Sequence, residues 1–297
     1  MIISDKSPAE KRAAFRKQLD SGKLLQFPGA YNPMVAMLIE QKGFDGVYVS
    51  GAVMANSLGL PDIGMTTLTE VSQFASAIAR VTSLPTIMDI DTGFGETMSV
   101  ARTIKELTYL GMAGCHIEDQ VNPKRCGHLD NKELVSVDAM VQKVKAAADA
   151  KTDENFLLIA RTDARGVEGL DKALDRAKAY MDAGADMIFP EAMKDESEFE
   201  AFRKAVDVPL LANMTEFGKS RLLNKSELES LGYNMVIYPV TTQRLAMYAV
   251  EKGLDIIAKE GSQEGSVDEM QTRKRLYEVL HYEDYNTFDS SLYNFKL

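Results

Sequence analysis

Short apolar runs alternate with longer amphipathic segments along most of the chain. The runs are LLQFPGA (24–30), GVYVSG (46–51), PTIMDID (85–91), AGCHIEDQ (113–120), NFLLIARTDA (155–164), DMIFPEA (186–192), VPLLANMTE (208–216) and YNMVIYPV (233–240). Each is rich in Val, Ile, Leu or Phe and has the length of a buried strand. Between them, segments such as TLTEVSQFASAIARVTS, SVDAMVQKVKAAADAKT and GLDKALDRAKAYMDAGA return an apolar residue every three or four positions. That is the period of a helix with one buried face. Gly43, Gly111, Gly184 and Gly232 end helical segments before the next strand, where glycine accepts the left-handed conformation other residues resist. Eight strand–helix units fit residues 24–261. Eight parallel strands close into a ring without edges, so the pattern predicts a (β/α)8 TIM-type barrel. Residues 1–261 are expected to form this catalytic barrel, and residues 262–297 a C-terminal helical tail. In the tail, GSQEGSVDEM reads as a loop and helix start and QTRKRLYEVLHY as a helix. EDYNTFDSSLYNFKL is aromatic and weakly patterned. An aromatic tail on a complete barrel needs a surface, and a neighbouring subunit is the candidate.

Composition narrows the partners. The 297 residues carry 34 Lys+Arg against 44 Asp+Glu, a formal charge of −10. That balance gives no electrostatic footprint for nucleic acid or an anionic membrane. The charged start MIISDKSPAEKR lacks a signal-peptide core, and no apolar stretch is long enough to span a bilayer. Two cysteines exclude a disulfide framework or a Cys-rich zinc module and fit a reducing, cytoplasmic compartment. With three histidines and two cysteines, carboxylates are the expected ligands of any metal.

Function in such a barrel sits at the C-terminal ends of the strands. Six of the eight ends carry polar or ionisable groups, among them Tyr48, Ser50 and Gly51, Asp89 and Asp91, Glu118, Arg161, Glu191, and Asn213 with Thr215. Asp89 and Asp91 are two apart, so in an extended strand both point to one side. A hard divalent cation relieves their repulsion, with Glu118 on the adjacent strand completing the site directly or through water. The competing structural reading is that one Asp caps the helix starting near Thr97 and the other is solvated.

Lys124-Arg125-Cys126-Gly127-His128 follows the fourth strand. Two cations and an imidazole around one thiol should lower its pKa and favour thiolate. Cys115 and His116 read as buried structural residues, and His281 as a surface residue. Arg161, Arg244, Asn213 and Thr215 supply donors that clamp carboxylates. The residues therefore point to metal-assisted enolate chemistry on a small polycarboxylate. A non-catalytic metabolite-binding barrel and a structural ion-pair network are the alternatives.

SLGLPD (57–62), DIDTGFG (89–95), IEDQ (117–120), KRCGH (124–128), ARTDA (160–164), FPEA (189–192) and NMTEFG (213–218) occur in this order. Together they resemble the isocitrate lyase/phosphoenolpyruvate mutase superfamily, and the likeness runs from about residue 10 to residue 285. The resemblance implies a barrel, usually tetrameric with C-terminal helices exchanged between neighbours. It implies Mg2+, with Mn2+ as alternative, on Asp89 and Asp91, and Glu118 in the outer sphere. It is nearest to the branch that cleaves 2-methylisocitrate to pyruvate and succinate in the methylcitrate cycle of propionate breakdown. Ser50, Gly51, Arg161, Glu191, Asn213, Thr215 and Arg244 fall where the family contacts substrate, and Asp62 matches a position near the metal. Cys126 falls where the family has the acid that protonates the succinate aci-carboxylate, supported by His128 and Lys124, and Tyr48 where it helps remove the hydroxyl proton. Phosphonopyruvate-type mutases generally lack the KRCGH cysteine, which favours a lyase. Ala52-Val53 departs from a glycine-richer family run, and the large insertions of isocitrate lyases proper are missing. Phe217 is expected to help form room for a methyl group. Within the superfamily, 2,3-dimethylmalate cleavage and oxaloacetate hydrolysis are the competing activities.

Overall fold

Each apolar run contains a strand: β1 Leu25–Pro28, β2 Val47–Val49, β3 Thr86–Asp89, β4 Gly114–Glu118, β5 Leu157–Thr162, β6 Met187–Pro190, β7 Leu211–Asn213 and β8 Met235–Tyr238. In the computed structural model, which describes residues 4–129 and 131–293, these strands are all parallel. Residues 294–297 of the predicted tail lie outside the described residues. Hydrogen bonding runs β2-β3-β4-β5-β6 in one arc and β1-β8-β7 in another. Parallel bridges Gly29↔Tyr48 and Ile188↔Leu210 join the arcs. The fold is the predicted (β/α)8 barrel. The three amphipathic segments form the helices Leu68–Ala79, Val137–Asp149 and Leu170–Asp182. The first is entered through a capping box in which Thr67 and Glu70 satisfy each other's backbone donors. Gly43, Gly111, Gly184 and Gly232 all have positive φ.

Two apolar clusters divide the interior. One lies between strands and helices, including Val49, Met88, Ile117 and Leu158; the other fills the barrel itself with Phe27, Ile87, Ile159, Phe189 and Ile237. The second cluster continues into the helix Pro8–Leu19, whose Phe15 and Leu19 plug the N-terminal end. Phe15 and Phe27 meet with ring centroids 5.3 Å apart. The same helix satisfies the strand-start loops with buried cations. Lys11 Nζ donates to Ala79 O and Thr82 O, and Arg12 to Thr108 O, Met112 O and Asp153. With one end closed, the site has to form at the other.

The helix after β8, Thr241–Glu260, departs from the pattern of the rest. It runs 20 residues and has no buried residue, leaving Leu245, Met247, Tyr248, Val250, Leu254 and Ile257 exposed. Beyond it lie a 3-10 turn Glu264–Glu269 and the helices Arg273–Val279 and Tyr282–Tyr293. These helices fit the expected helical tail, and the last of them forms although its segment is weakly patterned. Tyr282, Tyr285, Phe288 and Leu292 do recur at helical spacing, diluted by Asn, Thr and Ser of poor helix propensity. None of the described helices is long and apolar enough to cross a membrane.

Candidate active site

Strand register decides which charged groups face each other at the barrel mouth. Asp89 on β3 lies opposite His116 on β4, and Glu118 on β4 opposite Arg161 on β5. Asp91 does not continue the strand as alternation predicts. β3 stops at Asp89, and Asp91 turns back with φ 47°, its N–H donating to Asp89 Oδ1 at 2.9 Å. The turn still gathers both carboxylates around one point. A side-chain carbon on Gly51 would stand 2.8 Å from Asp89 Oδ2 and 2.9 Å from Asp91 Oδ1. Glycine is required there, and its N–H donates to Asp89 Oδ2. Neither Asp caps the helix Thr97–Tyr109, whose N-cap is Glu96.

These carboxylates face Lys124 and Arg161, at 2.8 Å from Asp91 and 3.2 Å from Glu118, yet some of their oxygens lack a well-directed hydrogen bond. Burial pushes Asp91 up to about 6, against the pull of Lys124 and with Asp89 adding repulsion. Burial also lifts Glu118 well above the usual carboxylate range, although Arg161 and Lys124 attract it. Asp89 is buried too, yet His116, Lys124 and Arg161 hold it below its ordinary value. Lys124 Nζ lies between Asp62 Oδ1 at 2.5 Å and Asp91 Oδ1 at 2.8 Å. Asp91 Oδ1 and both Glu118 oxygens are nevertheless buried without a well-directed hydrogen bond. Buried oxygens left in that state suit an added cation. Among the described residues no three His, Cys, Asp or Glu side chains are gathered tightly enough to cage a metal by themselves. A cation here would keep positions for water and substrate, as Mg2+ does.

A cavity of about 170 Å³ opens above these groups. Tyr48, Ser50, Asp62, Asp89, Lys124, Cys126, His128, Arg161, Glu191, Asn213, Thr215 and Arg244 line it. Gly51, Asp91 and Glu118 are not in its wall; they touch Asp89, Lys124 and Arg161 from behind. Arg161 is held by Asp163 through two hydrogen bonds of 2.9 and 3.2 Å and lies over the Phe189 ring. Glu191 is held well below its usual range: burial opposes its charge, but Arg161, His128 and Lys132 outweigh it. His128 Nδ1 accepts from Lys219 N–H, which leaves the ring proton on Nε2, 2.9 Å from Glu191 Oε1. Arg244 sits at the rim, donating to Glu216 O and stacking on Phe217.

Three sequence expectations change. Cys126 is half-buried, and burial raises its thiol instead of favouring thiolate, with Asp62 and Glu191 adding to the rise. Its flanking cations face elsewhere: Lys124 towards Asp62 and Asp91, and Arg125 towards the Pro123 and Lys124 carbonyls. Phe217 is 94% exposed and outside the cavity, so it makes no room for a methyl group here. His116, read as merely structural, bonds Tyr48 Oη through Nε2 at 2.7 Å and lies 3.6 Å from Asp89 through Nδ1. Burial drops His116 to about 4, so it is neutral at physiological pH. Its place in HIE at a strand end was the available signal. Asn56 and Gln243 also line the wall; their polarity after β2 and β8 carries no comparable signal.

Residues 15–258 match the family model described as phosphoenolpyruvate phosphomutase. The chain belongs to the phosphoenolpyruvate phosphomutase family. A Corynebacterium glutamicum protein named "Probable 2-methylisocitrate lyase 2" is 58% identical, over 99% of this chain and 96% of its own. The solved structure of a 2,3-dimethylmalate lyase, a PEP mutase/isocitrate lyase superfamily member, matches with TM-score 0.89 and 31% identity, over 97% of this chain and 96% of that one. A phosphonopyruvate hydrolase in complex with oxalate and Mg2+ matches with TM-score 0.86 and 31% identity, over 94% of this chain and 98% of that one.

Proposed function

We propose that this chain is a Mg2+-dependent carbon–carbon lyase that cleaves 2-methylisocitrate to pyruvate and succinate in propionate breakdown. The single observation carrying the substrate choice is the 58% identity to a relative named for that reaction, against 31% to the 2,3-dimethylmalate lyase. Asp89 and Asp91 would hold the metal, with Glu118 behind it; Mn2+ has the same oxygen preference. When bound, the cation supplies positive charge to substrate oxygens on which negative charge develops.

The chain's own residues handle the protons and the carboxylates. Breaking the bond between the hydroxyl-bearing carbon and its neighbour releases the hydroxyl proton and leaves an electron pair on the succinate fragment. Tyr48 takes the hydroxyl proton as its own passes to neutral His116 Nε2. Cys126, kept as a thiol by burial, donates a proton to the carbanion carbon. Arg161, Asn213, Thr215, Ser50 and Arg244 bind the carboxylates, and Glu191 fixes Arg161, Asn213 and His128. The test is a panel of 2-methylisocitrate, 2,3-dimethylmalate and oxaloacetate with purified protein and Mg2+, read by product release. Fastest pyruvate release from 2-methylisocitrate is expected; faster turnover of either competitor would overturn the choice.

We further propose that the chain works in the cytoplasm as a homotetramer with exchanged C-terminal helices; the exposed apolar face of the helix Thr241–Glu260 supports association between copies. Its first turns, at Thr241, Thr242 and Leu245, line an apolar cavity of about 550 Å³ that lies open against Tyr31, Val35, Leu38, Phe44 and Tyr238, and beyond them Met247, Tyr248, Val250, Leu254 and Ile257 are left exposed. A neighbour's helix of this kind fills that place. On this reading residues 1–261 are the catalytic unit and residues 262–297 belong to the interface.

A further inference from the structure

The segment carrying Cys126 is tied down from its far end by a residue the proposed chemistry does not use. Lys132 is a buried lysine in the same loop, and its ammonium has two partners. Nζ donates to the carbonyl of Gly127, the residue after Cys126, and to Asp163 Oδ1 at 2.8 Å. Asp163 is wholly buried and is the carboxylate that clamps Arg161, through Oδ2 to Nε at 2.9 Å and Oδ1 to Nη2 at 3.2 Å. Asp163 is itself fixed, since its backbone N–H donates to Asp119 Oδ1 at 2.9 Å. Asp119 also accepts from Thr162 and Tyr180 at 2.8 Å each. The ammonium therefore joins the backbone beside the thiol to the rigid floor that orients Arg161.

The seat for that backbone has no slack. A side chain on Gly127 would collide with Arg161 Nη2 and Glu191. The loop's base is closed by Val121 N–H to Glu133 O at 2.8 Å and by the bridge Gln120↔Leu134. Those bonds hold the two ends; in the middle Gln120 pairs with the Arg125 backbone at 2.8 and 2.9 Å and His128 reaches Glu191 at 2.9 Å, while the Gly127 carbonyl between them is held by Lys132. Removing the ammonium would leave the Gly127 carbonyl and Asp163 each short of a buried partner, and the carbonyl can regain one from water if the loop lifts.

We infer that Lys132 is a positioning residue, a latch that holds the Gly127–His128 peptide, one residue past Cys126, onto the Asp163–Arg161 pair and so seats the thiol over the cavity. The inference rests on the proposed role of Cys126, but its principal test does not depend on turnover. Cys115 is fully buried and serves as an internal reference. Intact parent, Lys132→Met and Lys132→Gln proteins are treated with iodoacetamide at one pH without added ligand, and both cysteine peptides are quantified by mass spectrometry. The latch predicts Cys126 alkylation about tenfold faster or more in Lys132→Met, with Cys115 still unmodified. Lys132→Gln, which keeps a donor for the carbonyl, should fall between; it also serves alone if the Met variant does not fold. Lys132→Arg, which keeps the cation, should recover part of the protection. With 2-methylisocitrate and Mg2+, kcat should fall by about 30-fold or more while KM stays within a few-fold, because the acid is misplaced and the carboxylate clamps are kept. Cys126 alkylation within twofold of parent in the folded variants would overturn the latch. So would parallel exposure of Cys115, which marks general loosening. If the parent cleaves none of the acids but the alkylation contrast holds, the proposed reaction fails and the latch stands.

Discussion

The two ends of this barrel use buried charge in opposite ways. At the N-terminal end Lys11 and Arg12 are buried, and each meets backbone carbonyls or Asp153. At the C-terminal end Asp91 and Glu118 are buried with oxygens lacking well-directed hydrogen bonds. A buried charge whose hydrogen bonds are all supplied by the fold is costly to leave unpaired by mutation; a carboxylate with unsatisfied buried oxygens is available to a ligand. The difference teaches where stability and function should separate under mutation.

The largest effect should come from the mouth. Cys126→Ser should lower turnover by about 10²–10⁴-fold, with Mn2+ binding by paramagnetic resonance and the unfolding midpoint close to parent. Loss of metal binding or of fold along with turnover would erase the contrast. Chelation is the companion test: exhaustive EDTA should abolish pyruvate release and Mg2+ should restore it, whereas activity that survives would leave the carboxylates as a structural network.

The closed end should behave conversely. Phe15→Ala should cost about 3–5 kcal/mol of stability, read from chemical denaturation, while kcat/KM per folded molecule stays near parent. A large loss of kcat/KM at full folding would mean that the plug also shapes the mouth. Smaller in energy but visible in mass, Leu254→Glu on the exposed helix should shift sedimentation towards smaller species; an unchanged profile would remove that face from the interface. The smallest effect concerns pH. Since burial raises the Cys126 thiol, its alkylation rate in ligand-free protein should keep climbing above pH 9, about the ordinary thiol range. A plateau near neutrality would show a thiolate instead.

Much of this molecule was legible from its sequence. The eight apolar runs each hold a strand, and the glycines before them take the left-handed conformation. Polar residues at strand ends meet around one cavity because parallel strands in register bring all their C-terminal ends to one face. What failed was inference from sequence neighbours to spatial neighbours. Lys124 and His128 flank Cys126 in the chain, yet their charged or polar atoms are directed to Asp62, Asp91 and Glu191. Phe217 turns outward onto Arg244. His116 looked like filler because its partner Tyr48 is 68 positions away.

Periodicity and composition alone determined the closed parallel barrel and the inventory of carboxylates, cations and one loop thiol at its mouth. Those are consequences of local spacing, which repeats regularly enough to read. Tertiary structure decided which of those charges face each other, that the thiol keeps its proton, that Lys132 ties the loop to the floor, and that the helix after β8 is left uncovered. Each depends on burial and on contacts between residues distant in the chain, where a shift of one strand or one loop reassigns every partner.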